Sequence, residues 1–568
     1  MKSIKNTLFI AAASVVLLFA SCKKSVPKQT QYIPKDATFV FAVNAKNLQD
    51  KLDKSKISVD SLIKEALADN HAAPNDIKQW DDIKNSGIKW QSELFVYMQT
   101  KGSMMNGQNM VVGAVAAIDD AAKFEAYFKK QQPGADVKKA TNYTYASTSG
   151  GFSIGWNKEV VAVVNALGSR FSNNGATNNA ETQLAAMFAQ KETESVAGIP
   201  EFRELAGEKA DMLVWTNSSA SLSAVPMLGL TKAADLFKDC YGAVTVNFED
   251  GKITGNYTSY LGKVLADILK KHAGPTIDMG ALEQYPSNNI DGFISVAFKT
   301  EAILDVVKYI GVDGMANQYL STIGFTLDDA LKAFKGDITA VFSDFSIEEK
   351  PNEFYPEYKI KTPVFKLIVN SKTGDKAAFT KVANALAQKG ILVQQGNQYV
   401  PATPTGAFKV TADEKNLFVA SDSLILQQYK AGTGKAAIAD DVKSKIKGKA
   451  AAFYVDINKI LKAMPADSAY APVMTLAIAS FKDALITGDN FDGKKGKGYM
   501  ELRTGNDKEN SLATLVKFIK AVADHAKLRH PAIDDMDVIT DSTAISTVPD
   551  VMVDTVAPVE DVRPRKKK

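Results

Sequence analysis

Phe248-Glu249-Asp250-Gly251-Lys252 and Phe491-Asp492-Gly493-Lys494 are two versions of one signal in a chain of 568 residues. An Asp-Gly pair at the end of a strand-forming run predicts a tight hairpin, because glycine accepts positive φ at no steric cost. An amphipathic helical stretch follows each. Leu261, Val264, Leu265 and Ile268 mark the first face, and Leu512, Leu515, Val516, Ile519 and Val522 the second. The likeness extends outward in the same order. Tyr32-Ile33-Pro34, Asp36 and the run Phe39 to Val43 precede a helical stretch at Leu48 to Leu52. Tyr285-Pro286, Asp291 and the run Phe293 to Phe298 precede one at Ile303 to Val307. Asp120 to Phe124 resembles Asp375 to Phe379, and Gly151 to Asn157 resembles Ala407 to Asp413. Matched positions lie roughly 240 to 256 residues apart, which is the signature of an internal repeat. The pattern predicts two tandem copies, residues 33–272 and 289–528. Gly/Pro/Asn/Ser punctuation marks 273–288 as the linker between them.

The strand signals are short β-branched or aromatic runs: Val40 to Val43, Met110 to Ile118, Val160 to Val164 and Met212 to Trp215. Val364 to Val369, Leu417 to Ala420 and Ala450 to Val455 follow in the second copy. Phe124, Tyr127 and Phe128 share a helical face, as do Phe379, Val382 and Leu386. Strands grouped by hairpins, with helices between groups, predict an α+β fold: antiparallel or mixed sheets with helices packed on one face. Beyond Arg529, Pro531, Pro549, Pro558 and Pro564 interrupt an acidic stretch that closes on a basic cluster. Residues 529–568 therefore read as a disordered tail.

Composition narrows the function classes. A net charge of +4, from 68 Lys+Arg against 64 Asp+Glu, argues against a nucleic-acid binder with a concentrated basic face. Two cysteines exclude a disulfide scaffold. Lys2 and Lys5 followed by the apolar run Leu8 to Ala20 read as a secretory signal over residues 1–21, too short to span a bilayer. The run ends in Leu18-Phe19-Ala20-Ser21-Cys22, which resembles a bacterial lipobox. That resemblance implies cleavage between Ser21 and Cys22 and a diacylglyceryl anchor on Cys22, followed by a short tether, residues 22–32. Lys23 and Lys24, where surface-exported lipoproteins carry acidic residues, point to a periplasm-facing protein of the outer membrane.

Catalytic chemistry finds little support. Of four histidines, only His525 and His530 are close, and their spacing of five misses one helical face. Asp119-Asp120, Asp328-Asp329 and Asp440-Asp441 read as helix-start carboxylates. Ser61 and Lys64 match a Ser-x-x-Lys nucleophile pair, and Lys372-Thr373-Gly374 follows downstream. The latter is expected after the strand Val364 to Val369 rather than on it, which breaks the catalytic context. Gly488 to Lys495 imitates a P-loop but lacks its Ser/Thr, so it reads as a turn. Cys240 sits among apolar neighbours without a nearby base. No catalytic, metal or cofactor site is expected. The one binding candidate is aromatic: all four tryptophans lie in the first copy, and Trp80 and Trp90 could stack on a ligand.

The lipobox, the lysines after it, the Tyr-x-Pro-x-Asp-Ala-x-x-x-x-x-x-Asn entry at Tyr32 to Asn44 and the duplicated body resemble a family of Bacteroidetes outer-membrane lipoproteins defined as a domain of unknown function. The resemblance implies location and fold. Two roles follow: a membrane-anchored scaffold binding an envelope protein or polymer, and a lipoprotein binding glycan or lipid in the cleft between the two copies. A hydrolase is third. An apolar cleft walled by Trp80 or Trp90 would favour the ligand binder.

Overall fold

The computed structural model describes residues 26–69, 80–101, 109–148, 151–167, 180–222, 232–352, 354–434, 436–465 and 471–529. The expected signal segment with Ser21, the acceptor Cys22, His71, and the tail from His530 onward lie outside these residues.

The first half contributes β1 Phe39–Asn44, β2 Glu93–Lys101, β3 Asn109–Ala117, β4 Lys138–Lys139, β5 Thr144–Ser147, β6 Phe152–Trp156, β7 Val160–Leu167, β8 Met212–Asn217, β9 Tyr241–Glu249 and β10 Lys252–Tyr260. The second contributes β11 Ile290–Ala297, β12 Phe334–Pro351, β13 Lys359–Thr373, β14 Leu392–Gln395, β15 Gln398–Pro401, β16 Lys409–Ala412, β17 Asn416–Ala420, β18 Ala451–Val455, β19 Phe481–Gly488 and β20 Lys495–Thr504. Antiparallel ladders order the first set 4-5-6-7-3-2-1-8-9-10. They order the second 14-15-16-17-13-12-11-18-19-20. β10 then pairs with β20 from Lys252↔Arg503 to Tyr260↔Lys495, so all the strands form one sheet. Residues through Ile519 group as one compact unit; the described part of the other, from Lys520, is helical.

Both Asp-Gly turns are where the sequence puts them. Gly251 has φ +73 between β9 and β10, and Gly493 has φ +94 between β19 and β20. A Cβ on Gly251 would meet the Asp507 Cα at 2.6 Å, so the position needs glycine for space as well as for φ.

The fold is α+β with an antiparallel sheet, but the helices are not confined to one face. Val40, Ala42, Tyr97, Leu213 and Trp215 are buried together with residues of helices Ala180–Ala189 and Pro200–Ala206. Phe293, Val341, Ile368 and Leu485 are buried together with residues of helices Ser423–Lys430 and Asp440–Ile446. On the opposite face of the first half, Met212, Phe248 and Ile253 pack with helices Ala45–Lys54 and Ser511–Arg529. Helix Ala121–Gln131 covers Trp156 and Val161 through Phe124 and Phe128. Successive strand residues such as Met212 and Leu213 are both apolar, so one layer of helices cannot cover them. The stretch 273–288, read as a linker, holds helix Met279–Glu283. Its Ile277, Leu282 and Tyr285 are buried in the second core, and the Tyr285 hydroxyl lies 3.0 Å from the Ser343 hydroxyl.

Near the joint of the two halves the buried face turns polar. Arg503 donates to both Asp483 carboxylate oxygens at 2.5 Å and also to Asp441. Glu501 accepts from Lys445 at 2.7 Å and from the Tyr499 hydroxyl at 2.6 Å. Burial pushes the Glu501 carboxyl up, but these bonds outweigh it and hold the group below its usual range.

The β10–β20 ladder should make the halves a single cooperative unit, and the tryptophans test this because all four lie in the first half. In urea, tryptophan emission, reading the first half, and far-UV circular dichroism, reading the whole chain, are expected to trace one coincident transition. A Cβ at Gly255 would meet the Met500 Cγ at 2.6 Å across that ladder. Gly255→Ile should therefore lower the stability read by both probes by about 1–3 kcal/mol. Two separated transitions in the parent chain would mean the ladder does not couple the halves.

Candidate functional site

Trp80 and Trp90 converge, although ten residues separate them. Trp80 belongs to the helical residues 80–84, and Trp90 precedes β2. Their ring centroids are 6.3 Å apart at 57°. The other walls come from the elements after β1. Asn44 starts helix Ala45–Lys54, its side chain accepting the Asn47 N–H at 3.1 Å. One turn apart on that helix, Leu48 and Leu52 share a face with each other. With Val43, Val59, Ile63, Ile88 and Leu94 they enclose a pocket of about 970 Å³. That is near the upper end for small-molecule sites, about 300–1,000 Å³.

The polar groups at its rim are committed to one another. Trp80 donates its indole N–H to Asp60 at 2.8 Å, and Trp90 donates to the Ile83 carbonyl at 3.0 Å. Lys84 bonds Asp60 and Asp81 and lies 5.8 Å from the Trp80 ring centre. Lys64 bridges the same two carboxylates at 3.3 and 3.2 Å. Lys84, then Trp80, hold the Asp60 carboxyl down at about 2. Lys46 pairs with Asp50 at 2.8 Å and Lys89 with Asp119 at 3.6 Å. The indoles thus offer ring faces rather than N–H groups, over an aliphatic floor. Such a site can bind and orient an apolar group; it holds no free acid, base or nucleophile pair among the residues named.

The floor continues across the sheet. Leu94, Val43, Met212, Val246, Gly255, Met500, Ile486, Phe453 and Ile294 are successive cross-strand partners from β2 to β11. This is an apolar row on the face opposite the two main cores, and Ile294 and Ile486 on it are each 47% exposed. In the second half, a cleft of about 810 Å³ lies between the helices that follow β11, precede β12 and follow β13. Strand order makes that place equivalent to the tryptophan pocket. Its lining is charged instead, with Glu301, Asp328, Lys332, Asp337 and Lys381.

The remaining sequence candidates have structural partners. Trp156 packs against Phe124 and Phe128, and Trp215 against Phe202 and Tyr241, all within cores. The Lys64 ammonium is held above its usual range by Asp81 and Asp60, so it cannot serve Ser61 as a base. Lys372 and Thr373 are on β13 itself, contrary to the expectation that they follow a strand, because β13 runs on to Thr373. Lys372 pairs with Asp278 at 2.6 Å, and the Thr373 hydroxyl donates to the Glu414 carbonyl at 2.5 Å. Burial pushes the Cys240 thiol up, and its bonds are to the Gly262 N–H at 3.2 Å and the Leu236 carbonyl at 3.8 Å. His272 lies 2.9 Å from Asp305. Among the described residues no group of three or more His, Cys, Asp or Glu side chains could hold a metal. Asp120 caps its helix by accepting from Ala122 and Lys123 at 3.0 Å, and Asp329 completes a capping box with Thr326. Asp492 accepts the Lys494 and Lys495 N–H groups, which makes Gly488 to Lys495 a turn. The aliphatic lining was the part sequence reasoning missed; the one-turn spacing of Leu48 and Leu52 was its available signal.

Two substitutions separate pocket tryptophans from core tryptophans. Trp156→Ala should cost about 3–5 kcal/mol of stability in denaturant unfolding, as large aromatic deletions do. Asp60 latches Trp80, and its folded carboxyl ionises below the ordinary range near 3.9. The latch therefore acts fully above that pH and is lost as pH falls through about 2. The emission difference between parent and Trp80→Phe chains should stay constant from pH 7 to about 4 and change below it. A change centred near pH 6 would show that Asp60 is not the latch.

No curated protein matches the chain. Two solved structures, crystal forms I and IV of TP0453, align with 45% of this chain and 90% of their own at 10% and 9% identity, each with a TM-score of 0.23. None of the described helices is long and apolar enough to cross a membrane. The model of the family described as Domain of unknown function (DUF4836) matches residues 29–479, nearly the whole of the paired-sheet body, and the chain belongs to that family.

Proposed function

We propose that the chain is a non-catalytic lipoprotein of the Bacteroidetes cell envelope that holds an apolar ligand, the acyl chain of a lipid, in the Trp80–Trp90 pocket. It is anchored in the outer membrane through acylated Cys22 and faces the periplasm. One observation carries the ligand reading: an aliphatic pocket of about 970 Å³ walled by two indoles whose N–H groups are already bonded. A glycan would need free, convergent hydrogen-bonding groups, and the charges at this rim are paired with one another. The anchor reading rests on the lipobox-like run ending at Ser21-Cys22 and on Lys23 and Lys24 after it. The identical strand orders support a tandem duplication as the origin of the two halves. The scaffold reading, an envelope protein or polymer as partner, is favoured by the part-exposed apolar row at Ile294 and Ile486.

Chain length tests the ligand directly. In a series of saturated fatty acids titrated against tryptophan emission, each methylene removed should cost about 0.8 kcal/mol, or about fourfold in Kd. Trp80→Ala and Trp90→Ala should each weaken binding by about tenfold. Affinity that ignores both chain length and these substitutions would refute the pocket. Cys22→Ala should abolish metabolic lipid labelling and release the protein from membranes; labelling that persists would refute the anchor.

A further inference from the structure

The ladder between β12 and β13 outruns the sheet. β12 pairs with β11 only as far as Ser343, yet pairs with β13 on from Ser346↔Val364 to Pro351↔Lys359. Those six residue pairs form a free two-stranded arm of about 20 Å. β2 and β3, at the same places in the first strand order, have nine residues each; β12 and β13 have eighteen and fifteen. The extra length ends in Phe354-Tyr355-Pro356-Glu357-Tyr358. This tip is a built turn. The Asn352 N–H donates to the Tyr358 carbonyl at 2.8 Å, and the Tyr358 N–H to the Tyr355 carbonyl at 2.9 Å. The Asn352 side chain accepts the Phe354 and Tyr355 N–H groups at 2.8 and 3.1 Å. Held this way, Phe354 is 85% exposed, Tyr355 62% and Tyr358 67%.

We propose that this aromatic tip inserts into the headgroup region of a phospholipid bilayer. Three exposed aromatic rings on an ordered turn leave apolar area in water that an interface would bury. The tyrosines bring hydroxyls that stay wet at that depth. Along the ribbon behind the tip, Lys350 pairs with Glu348 at 3.5 Å and Lys359 with Glu349 at 3.8 Å. Tether length supplies the membrane. Only three residues lie between Cys22 and Val26, the first described residue, a reach of about 14 Å when extended. This clause rests on the lipid-anchor part of the proposed function. A chain acylated at Cys22 keeps its body close to the bilayer, which makes a phospholipid surface the constant neighbour of the protein.

The test uses the full chain with Phe354→Trp, in vesicles containing phosphatidylcholine brominated along the acyl chain. Emission of the parent chain is subtracted to remove the native tryptophans. The new indole should be quenched, most strongly by bromines nearest the headgroup, both in the lipidated protein and in a Cys22→Ala chain added to preformed vesicles. Exchanging all three rings, Phe354→Ser with Tyr355→Ser and Tyr358→Ser, should lower vesicle partitioning of the Cys22→Ala chain by about tenfold or more. An unquenched indole in both chains would overturn the proposal, as would crosslinks from position 354 to a protein with no lipid quenching. If no lipid is found on Cys22, the anchor reading fails alone, and the chain added from outside still decides the arm.

Discussion

Edge pairing between β10 and β20 is the contact on which the rest of the architecture depends. Each half, taken alone, ends in a nine- or ten-residue strand with a full row of unpaired backbone groups. Such an edge is a template for aggregation unless something covers it. Here each covers the other, in register from Lys252↔Arg503 to Tyr260↔Lys495. The edges that remain are short. β4 is two exposed lysines, and β14 is four residues whose Val393, Gln394 and Gln395 are exposed. Length and charge therefore protect the outer edges, while pairing protects the inner ones.

That joint also explains where the charges are buried. Strand alternation puts Glu501 and Arg503 on the same side of β20, the side that carries the main cores on either flank. Apart from Tyr260 at the end of β10, the cores flank the seam rather than cover it, so the polar side chains on it have to satisfy one another. Arg503 is forked onto Asp483, and Glu501 takes Lys445 and Tyr499. Removing either member of such a pair leaves a desolvated charge, which costs more than the pair contributes. The opposite side of the same strands stays apolar, through Gly255, Met500 and Ile486. The sheet thus has one face closed by its cores and a polar seam, and another left available between helices.

Much of this was legible locally. Asp250-Gly251 and Asp492-Gly493 declare their hairpins because positive φ at glycine is a one-residue property. The strand runs and the paired order of motifs pointed to α+β and to two halves. Trp80 and Trp90 stood out by their confinement to the first half. What was not legible depends on distant contacts. Nothing near Lys252 or Lys495 states that these strands meet, since register between remote edges is set by the assembled sheet. Residues 273–288 carried turn punctuation that is equally the punctuation of a chain entering a core, as Ile277 and Tyr285 do. The single-face expectation failed because helix patterns report only their own buried stripe, whereas Met212 and Leu213 show that both sides of β8 need cover.

The two equivalent clefts differ in a way that strand order alone cannot produce. Both lie between the helix after the first strand and the helical residues before the second, and both are closed by the chain that leaves the third strand. In the first half this place is filled from Leu48, Leu52, Trp80 and Trp90; in the second, Glu301, Asp328 and Lys332 come from the corresponding helices. The backbone supplies a recess in each case, because helices leaving a sheet edge cannot pack flush against one another. Side chains then decide its chemistry. In the second half Asp329 caps helix Leu327–Lys332 and accepts from Lys381 at 2.6 Å, tying the two helices across the recess. In the first half Asp60 holds Trp80 and Lys84 at the rim and leaves the interior apolar. One recess is thereby braced by ion pairs, and the other is propped open by an ion-paired rim around an unfilled apolar floor. Only the apolar recess has apolar surface for a ligand to take out of water, and that contrast is what the proposed function rests on.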